Sequence, residues 1–327
     1  MSASPAGPPT PEVTVCVSSR NRAARLPPLL RHLERQTLPL EAFEVVILDD
    51  GSTDDTWAVL ERERATSPLR LTVLRAAQRG GAAAGRNACW QAASAPLCAF
   101  TDDDCRPTPQ WLAEGVAVMR GRRAIGAGRV SPTSADWMRA GAFSRLLLVD
   151  EGIYQWWATA NLFVPRADLA AVGGFDEDID IAGEDTDLGL RLLATGVEPL
   201  WIPGARVHHD VELSSPRALI REQKRWIDVP GLLARHPDAR ERLLHHGWFW
   251  KPAHLRLLLL AAGVLAAPKR REALALALPW LHLRLVEQPL VETAAERTVT
   301  LPAALALDAA ELVALARGSV KHRTVML

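Results

Sequence analysis

Residues 43–65 read FEVVILDDGSTDDTWAVLERERA, and they carry a strand, a turn and a helix in that order. Val45, Val46, Ile47 and Leu48 form an unbroken apolar run, which suits a strand buried on both faces better than one with a wet face. After it, Ser52 or Thr53 can cap a helix, and Asp54 and Asp55 suit its positive start. The same unit recurs on either side. VTVCVSS (13–19), LRLTVLRAA (69–77) and PLCAFTDDD (96–104) read as strands. Between them, RLPPLLRHLERQ (25–36) spaces Leu26, Leu29, Leu30 and Leu33 as a helix does, and GRNACWQAASA (85–95) reads as another. Such alternation specifies an α/β fold with a mostly parallel sheet covered by helices on both faces.

Three polar clusters fall where those strands end: Ser18, Ser19, Arg20 and Asn21; Asp49 and Asp50; and Asp102, Asp103 and Asp104. In open parallel sheets, ligands sit beyond the carboxyl ends of the strands. Residues one and three along an extended chain point the same way, so Asp102 and Asp104 can converge on a divalent cation while Asp103 points elsewhere. An acidic turn ahead of Pro107 and Pro109 explains the same triplet. Further on, Glu184, Asp185 and Asp187 open a helix, as either catalytic acids or a charged cap. His208 and His209 are metal ligands or ordinary histidines. A histidine beside Asp104 favours manganese over magnesium somewhat. Gly80, Gly81 and Gly85 offer a weak phosphate cradle without a full glycine-rich signature.

The 327 residues bury a sizeable core, and 48% hydrophobic with 23% charged residues is a globular composition. Lys plus Arg equals Asp plus Glu at 38 each, so no net field draws the chain to nucleic acid, which is not expected as a partner. Cys16, Cys89, Cys98 and Cys105 lack CxxC spacing and read as reduced thiols of a cytoplasmic protein. MSASPAGPPTPE at the start carries no secretory pattern and reads as a flexible tail over 1–11. After about residue 215 the pattern becomes Leu- and Ala-rich and helical, which gives a catalytic domain over 12–215 and a helical extension over 216–327.

Taken in order, VTVCVSSRNR, VVILDDGSTDDT, GGAAAGRN, FTDDDCRPTPQWL, NLFVPRADLAAVGGFDE and GEDTDLGLRL resemble a family 2 glycosyltransferase across roughly residues 12–212. The resemblance implies a GT-A fold and inverting, metal-dependent transfer of a single sugar to a hydroxyl of a glycan, a lipid-linked or a small-molecule acceptor. It implies a UDP-, GDP- or dTDP-sugar held by Ser18, Arg20, Asp49, Asp50, Arg86, Asp102 and Asp103. It further implies Mn2+ or Mg2+ on Asp102, Asp104 and His209, with His208 as rival, and Asp185 as base with Glu184 second. REQKRW (221–226) resembles the QxxRW motif of processive synthases with Glu222 in place of Gln, which suggests Arg225 and Trp226 at the acceptor; an amphipathic helix explains it equally. Trp156, Trp157 and Asn161, within YQWWATAN (154–161), form an acceptor platform or fill the core. Work in cell-envelope or natural-product glycan synthesis fits. Nucleotidyl transfer and an inactive nucleotide-sugar-binding partner protein are the alternatives.

The most apolar run, LRLLLLAAGVLAA (255–267), is 13 residues and as a helix reaches about 20 Å, short of a bilayer's roughly 30 Å core. It reads as a buried helix, or as one lying on the inner face of the plasma membrane, so residues 248–285 are the candidate for peripheral contact. No spanning segment is expected. Oligomeric state is not legible.

Overall fold

The computed structural model describes residues 10–139, 144–152, 156–179, 182–287 and 294–327. Residues 1–9 of the expected tail, and Tyr154 and Gln155 of the candidate acceptor stretch, lie outside these. Pro11 is buried.

The chain forms two compact units, residues 1–133 with 146–210, and residues 134–145 with 211–327. In the first unit, β1 (Val13–Ser19), α1 (Leu26–Leu33), β2 (Phe43–Asp49), α2 (Thr56–Thr66), β3 (Leu71–Arg75), α3 (Ala82–Ala92) and β4 (Leu97–Phe100) alternate as the sequence indicates. There follow β5 (Cys105–Pro107), α4 (Trp111–Met119) and β6 (Ala124–Ser131). The second unit then takes α5 (Ser134–Arg139) and β7 (Ser144–Arg145). Back in the first unit lie β8 (Leu162–Pro165), α6 (Arg166–Ala171), α7 (Glu184–Ala194) and β9 (Glu198–His209).

Eight strands make one sheet in the order β3-β2-β1-β4-β8-β6-β9-β5. β1, β2, β3 and β4 are parallel, β8 runs antiparallel to β4 and β6, and β9 is parallel to β6. The pleat sends successive side chains to opposite faces. Val13, Val15 and Val17 join one buried cluster with Val45 and Ile47, while Cys16 joins another with Val46 and Leu48. Both faces are therefore covered, which is why the runs are unbroken rather than alternating.

The sequence reading missed β6, β8 and β9. In β9 the cause is Pro199, Pro203 and Gly204, which demote a strand pattern. The sheet accommodates them by slipping register between Gly128 and Arg129, whose partners jump from Ile202 to Arg206.

In the second unit, β7 pairs with β10 (Glu212–Leu213), and Arg145 binds Glu212 and Glu222 on α8 (Pro216–Glu222). α9 (Pro230–Arg235), α10 (Arg240–Leu243), α11 (Pro252–Ala266), α12 (Leu278–His282) and α13 (Ala294–Lys321) follow. The units meet in sequence at 210/211, and 134–145 groups with the C-terminal part. The expectation of no spanning-length segment is corrected by α13. Its Thr298–Lys321 stretch has mean hydropathy 1.7 and is long and apolar enough, by length and composition, to cross a membrane, with 22% of that window buried. Asp308, Glu311 and Arg317 interrupt the apolar pattern, so scanning for runs without charges passes over it.

Candidate active site

A cleft of about 400 Å3 opens where β1, β2 and β4 end. Ser18 and Arg20 reach it from the end of β1, Asp50 from the end of β2, and Asp102, Asp103 and Asp104 from beyond β4, with Arg86 on α3 and His209 at the end of β9. Gly85 on α3 lets that helix approach Ser18, since a Cβ there would lie 2.0 Å from Ser18 Oγ.

The acid triplet is a turn, not an extended chain. β4 stops at Phe100, and the Cys105 amide donates back to the Asp102 carbonyl at 3.2 Å. Asp103 was expected to point outward; it is instead 9% exposed and accepts from Ser19 Oγ at 2.7 Å, with Arg22 Nε 3.6 Å away. Burial pushes its carboxyl up to about 7, which the Ser19 hydroxyl opposes and the Asp104 charge reinforces.

Asp102 and Asp104 still converge, through a different geometry. Pairing of β5 with β9 sets Cys105 opposite His209 and Arg106 opposite His208. That register brings His209 Nε2 within 3.3 Å of Asp104 Oδ1, while His208 alternates to the other side of the strand. Donor atoms of Asp102, Asp104, Cys105 and His209 all lie within 4.8 Å of one another. Cys105 is fully buried, and burial with the Asp102 and Asp104 charges raises its thiol well above the usual range. The residual donors, two carboxylates and an imidazole, suit Mn2+ or Mg2+. Burial also raises Asp104, countered by His209. Sequence reading missed Arg25, which lies 3.4 Å from Asp104 and 3.6 Å from Asp210, and Arg79, which lines the cleft. Basic residues scattered after a strand give no pattern to find them by.

The second acidic group stands at the start of α7. Glu184 Oε1 accepts from Arg86 Nη1 at 2.7 Å, and Arg86 Nη2 reaches Asp102 at 3.2 Å, so one guanidinium joins this helix to the acid turn. Burial drives Asp185 well above the ordinary carboxylate range; Glu184's charge adds to this, and Arg86 opposes it. α7 is anchored by the 156–157 segment. Thr186 Oγ1 donates to the Trp156 carbonyl at 2.9 Å, and the Trp157 ring fills the space that Gly189 leaves, where a Cβ would meet it at 1.8 Å.

Several expected site residues stand elsewhere. Asp49 is fully buried and accepts the Ser52 amide at 3.1 Å, which shapes the turn after β2 and leaves it no face for a nucleotide. Asp50 lines the cleft, but its carboxylate accepts the Gly80 and Gly81 amides at 2.6 and 3.0 Å. Those amides are thereby engaged and do not cradle a phosphate. Trp157 is 0% and Asn161 1% exposed; Asn161 accepts from Trp111 Nε1 and donates to the Arg129 and Ala205 carbonyls. Enclosed side chains offer no acceptor surface, so both are corrected to structural roles, and Trp156 alone of this group is half-buried. Arg225 and Trp226 belong to the second unit, where Trp226 packs 5.8 Å from Trp250 and donates to Gln223 at 2.9 Å.

Sequence comparison places this geometry. Two family descriptions match: "Glycosyl transferase family 2" over residues 14–154 and "Glycosyl transferase family group 2" over residues 99–286. Validoxylamine A glucosyltransferase from Streptomyces hygroscopicus is 32% identical over 223 residues, 57% of this chain and 52% of that protein. Pre-mycofactocin glycosyltransferase from Mycobacterium tuberculosis is 26% identical over 259 residues, 74% and 52% of the two. The chain thus spans about half the length of these curated relatives. Among solved structures, mannosyltransferase PcManGT from Pyrobaculum calidifontis, in complex with GDP-Man and Mn2+, superposes with TM-score 0.57 at 22% identity over 96% of this chain and 87% of that one, a likeness of fold. With a family description matching more than half of its residues over a sheet of the GT-A kind, the chain belongs to the family 2 glycosyltransferases.

Proposed function

We propose that the protein is an inverting, metal-dependent glycosyltransferase that moves one sugar from a nucleoside diphosphate donor to an acceptor hydroxyl. The carrying observation is the Arg86 bridge, which ties the acid turn bearing Asp102 and Asp104 to the helix bearing Asp185. In this reading Ser18, Arg20 and Asp50 line the donor's nucleotide end, and Arg86 faces the diphosphate. Asp102, Asp104 and His209 hold Mn2+ or Mg2+. A cation held there supplies positive charge to the departing diphosphate. Asp185, raised by burial, takes the proton from the acceptor hydroxyl, which attacks the anomeric carbon opposite the leaving group. Glu184 is held by Arg86 and is the weaker candidate for that task. Trp156, half-buried beside the start of α7, remains the residue assigned to the acceptor.

Four free, buried thiols suit a reducing cytoplasm. The likeness to validoxylamine A glucosyltransferase and, at 27% identity, to beta-monoglucosyldiacylglycerol synthase from Synechocystis supports a small-molecule or lipid acceptor, and peripheral membrane contact through residues 248–285 fits a lipid-linked one. The test is calorimetry with UDP-, GDP- and dTDP-sugars, with and without Mn2+, on the protein and on Asp104→Ala. Metal-dependent binding of one nucleotide class, lost in the variant, is expected; no nucleotide binding under any condition sinks the reading. Release of nucleoside diphosphate rather than pyrophosphate separates it from nucleotidyl transfer.

A further inference from the structure

The net charge of zero conceals a segregation. The second unit holds 19 Lys and Arg against 12 Asp and Glu, a net +7, which leaves the first at −7. The second unit also carries 15 of the 16 exposed large hydrophobic side chains among the described residues. Some of these are spaced at helical multiples: on α11, Leu258 and Leu265 are 38% and 81% exposed one heptad apart, and on α13 Val299, Val313 and Val320 lie at spacings of fourteen and seven, 79%, 50% and 81% exposed. Each forms a stripe along one helix face. The exposed cations Lys269, Arg270 and Arg271 follow α11 directly, and the segment after them packs on it, since a Cβ at Gly263 would lie 2.6 Å from the Ala273 carbonyl.

The opposite face of α13 argues against insertion. Asp308, 4% exposed, accepts from Trp280 Nε1 at 2.8 Å and from Arg284. Glu311, 5% exposed, pairs with Lys251 at 2.7 Å. Crossing a bilayer would strip both acids of these partners and place them in hydrocarbon, where ionised groups are strongly disfavoured. Apolar stripes outward and paired acids inward describe a helix that lies on a surface.

We infer that the second unit docks through the α11 and α13 stripes onto an anionic lipid bilayer surface, with Lys269, Arg270 and Arg271 meeting the headgroups and no helix spanning. Charge selects this occupant: two second units meeting through the same face, each net +7, repel one another, whereas anionic headgroups attract such a unit. The inference deepens the membrane contact included in the transferase reading, and names the lipid chemistry.

The experiment is co-sedimentation of the full chain with vesicles of phosphatidylcholine alone or with phosphatidylglycerol as about a third of the lipid. Binding to the anionic vesicles is expected, weakened by salt and released by alkaline carbonate. K269E/R270E/R271E should weaken it at least about tenfold. L265D, at an exposed position, should weaken it as well, with circular dichroism and nucleotide-sugar calorimetry unchanged for both variants. Absence of vesicle binding by folded, nucleotide-binding protein overturns the inference and leaves the transferase reading standing. Equal binding to both vesicle types, resistance to carbonate, or a concentration-dependent dimer that L265D dissolves while vesicle binding persists also overturns it. Vesicle binding without any nucleotide binding would do the reverse, sparing the docking surface and removing the transferase.

Discussion

The first unit is acidic and, among its described residues, leaves only Leu148 as a large exposed hydrophobic, whereas the second is basic and displays fifteen. In the first, polar groups gather at the ends of strands, where the pleat and the parallel arrangement bring them to one cleft. In the second, the acids of α13 are held inward as pairs while some of its apolar side chains face out, as Asp308 with Arg284 and Val313 show. The comparison teaches that a composition average can cancel two units of opposite charge. It also separates the proposed chemistry from the proposed location: the acids assigned to the reaction are in one unit, and the surface assigned to the membrane is in the other.

The sharpest way to break that division is to disarm the first unit alone. Asp185→Asn should lower kcat by about 10²–10⁴ while leaving donor affinity and vesicle binding unchanged, as steady-state kinetics and calorimetry would show. The pH profile carries the same claim with a definite sign. The base works deprotonated and burial raises its pKa, so kcat/KM should fall as pH drops through that raised value, by roughly tenfold per unit below it. An acid limb at the ordinary carboxylate range would remove Asp185 from the role.

Disarming the second unit is the complementary cut. Asp308→Ala strands Arg284 and the Trp280 N–H inside, a change expected to cost about 3–5 kcal/mol. Thermal unfolding should then show the second unit melting earlier with metal-dependent nucleotide binding retained. Loss of nucleotide binding in parallel would contradict the assignment of the nucleotide site to the first unit alone.

Smaller effects test the first unit's internal construction. Gly189→Ala forces a methyl against the Trp157 ring and should destabilise by about 1–3 kcal/mol. Its kcat should fall more than its donor affinity, because α7 carries Asp185. Smallest is the histidine pair. His209→Ala should weaken Mn2+ binding about tenfold and His208→Ala should not, measured by titration of the metal with nucleotide present. Equal loss in both would contradict the strand register that separates them.

These expectations also mark how much could be read beforehand. The four parallel strands, the helices between them and the acids at the strand ends were legible, because unbroken apolar runs are local signals; the cap expected at Ser52 or Thr53 is corrected, since α2 begins only at Thr56, after Asp55, with no side-chain cap. β9 was not, since its prolines and Gly204 argue against a strand until a register slip absorbs them. Asp49 and Asp50 look equivalent in the sequence, yet one shapes a turn and the other holds two glycine amides at the cleft. Trp157 and Asn161 looked available for an acceptor because aromatic and amide residues serve cores and sites alike, and only burial tells them apart.

By itself the sequence determined the α/β alternation, the placement of acids at a common edge, the helix opened by Glu184 and Asp185, and the Leu- and Ala-rich extension. Tertiary structure alone decided which residues meet. Pairing of β5 with β9 set His209 rather than His208 beside Asp104, because a strand's side chains alternate and register fixes which one faces in. Arg86 joined Glu184, 98 positions away, to Asp102. Helix packing in the second unit turned the acids of α13 inward and its valines outward, since an unpaired buried charge costs more than an exposed apolar side chain.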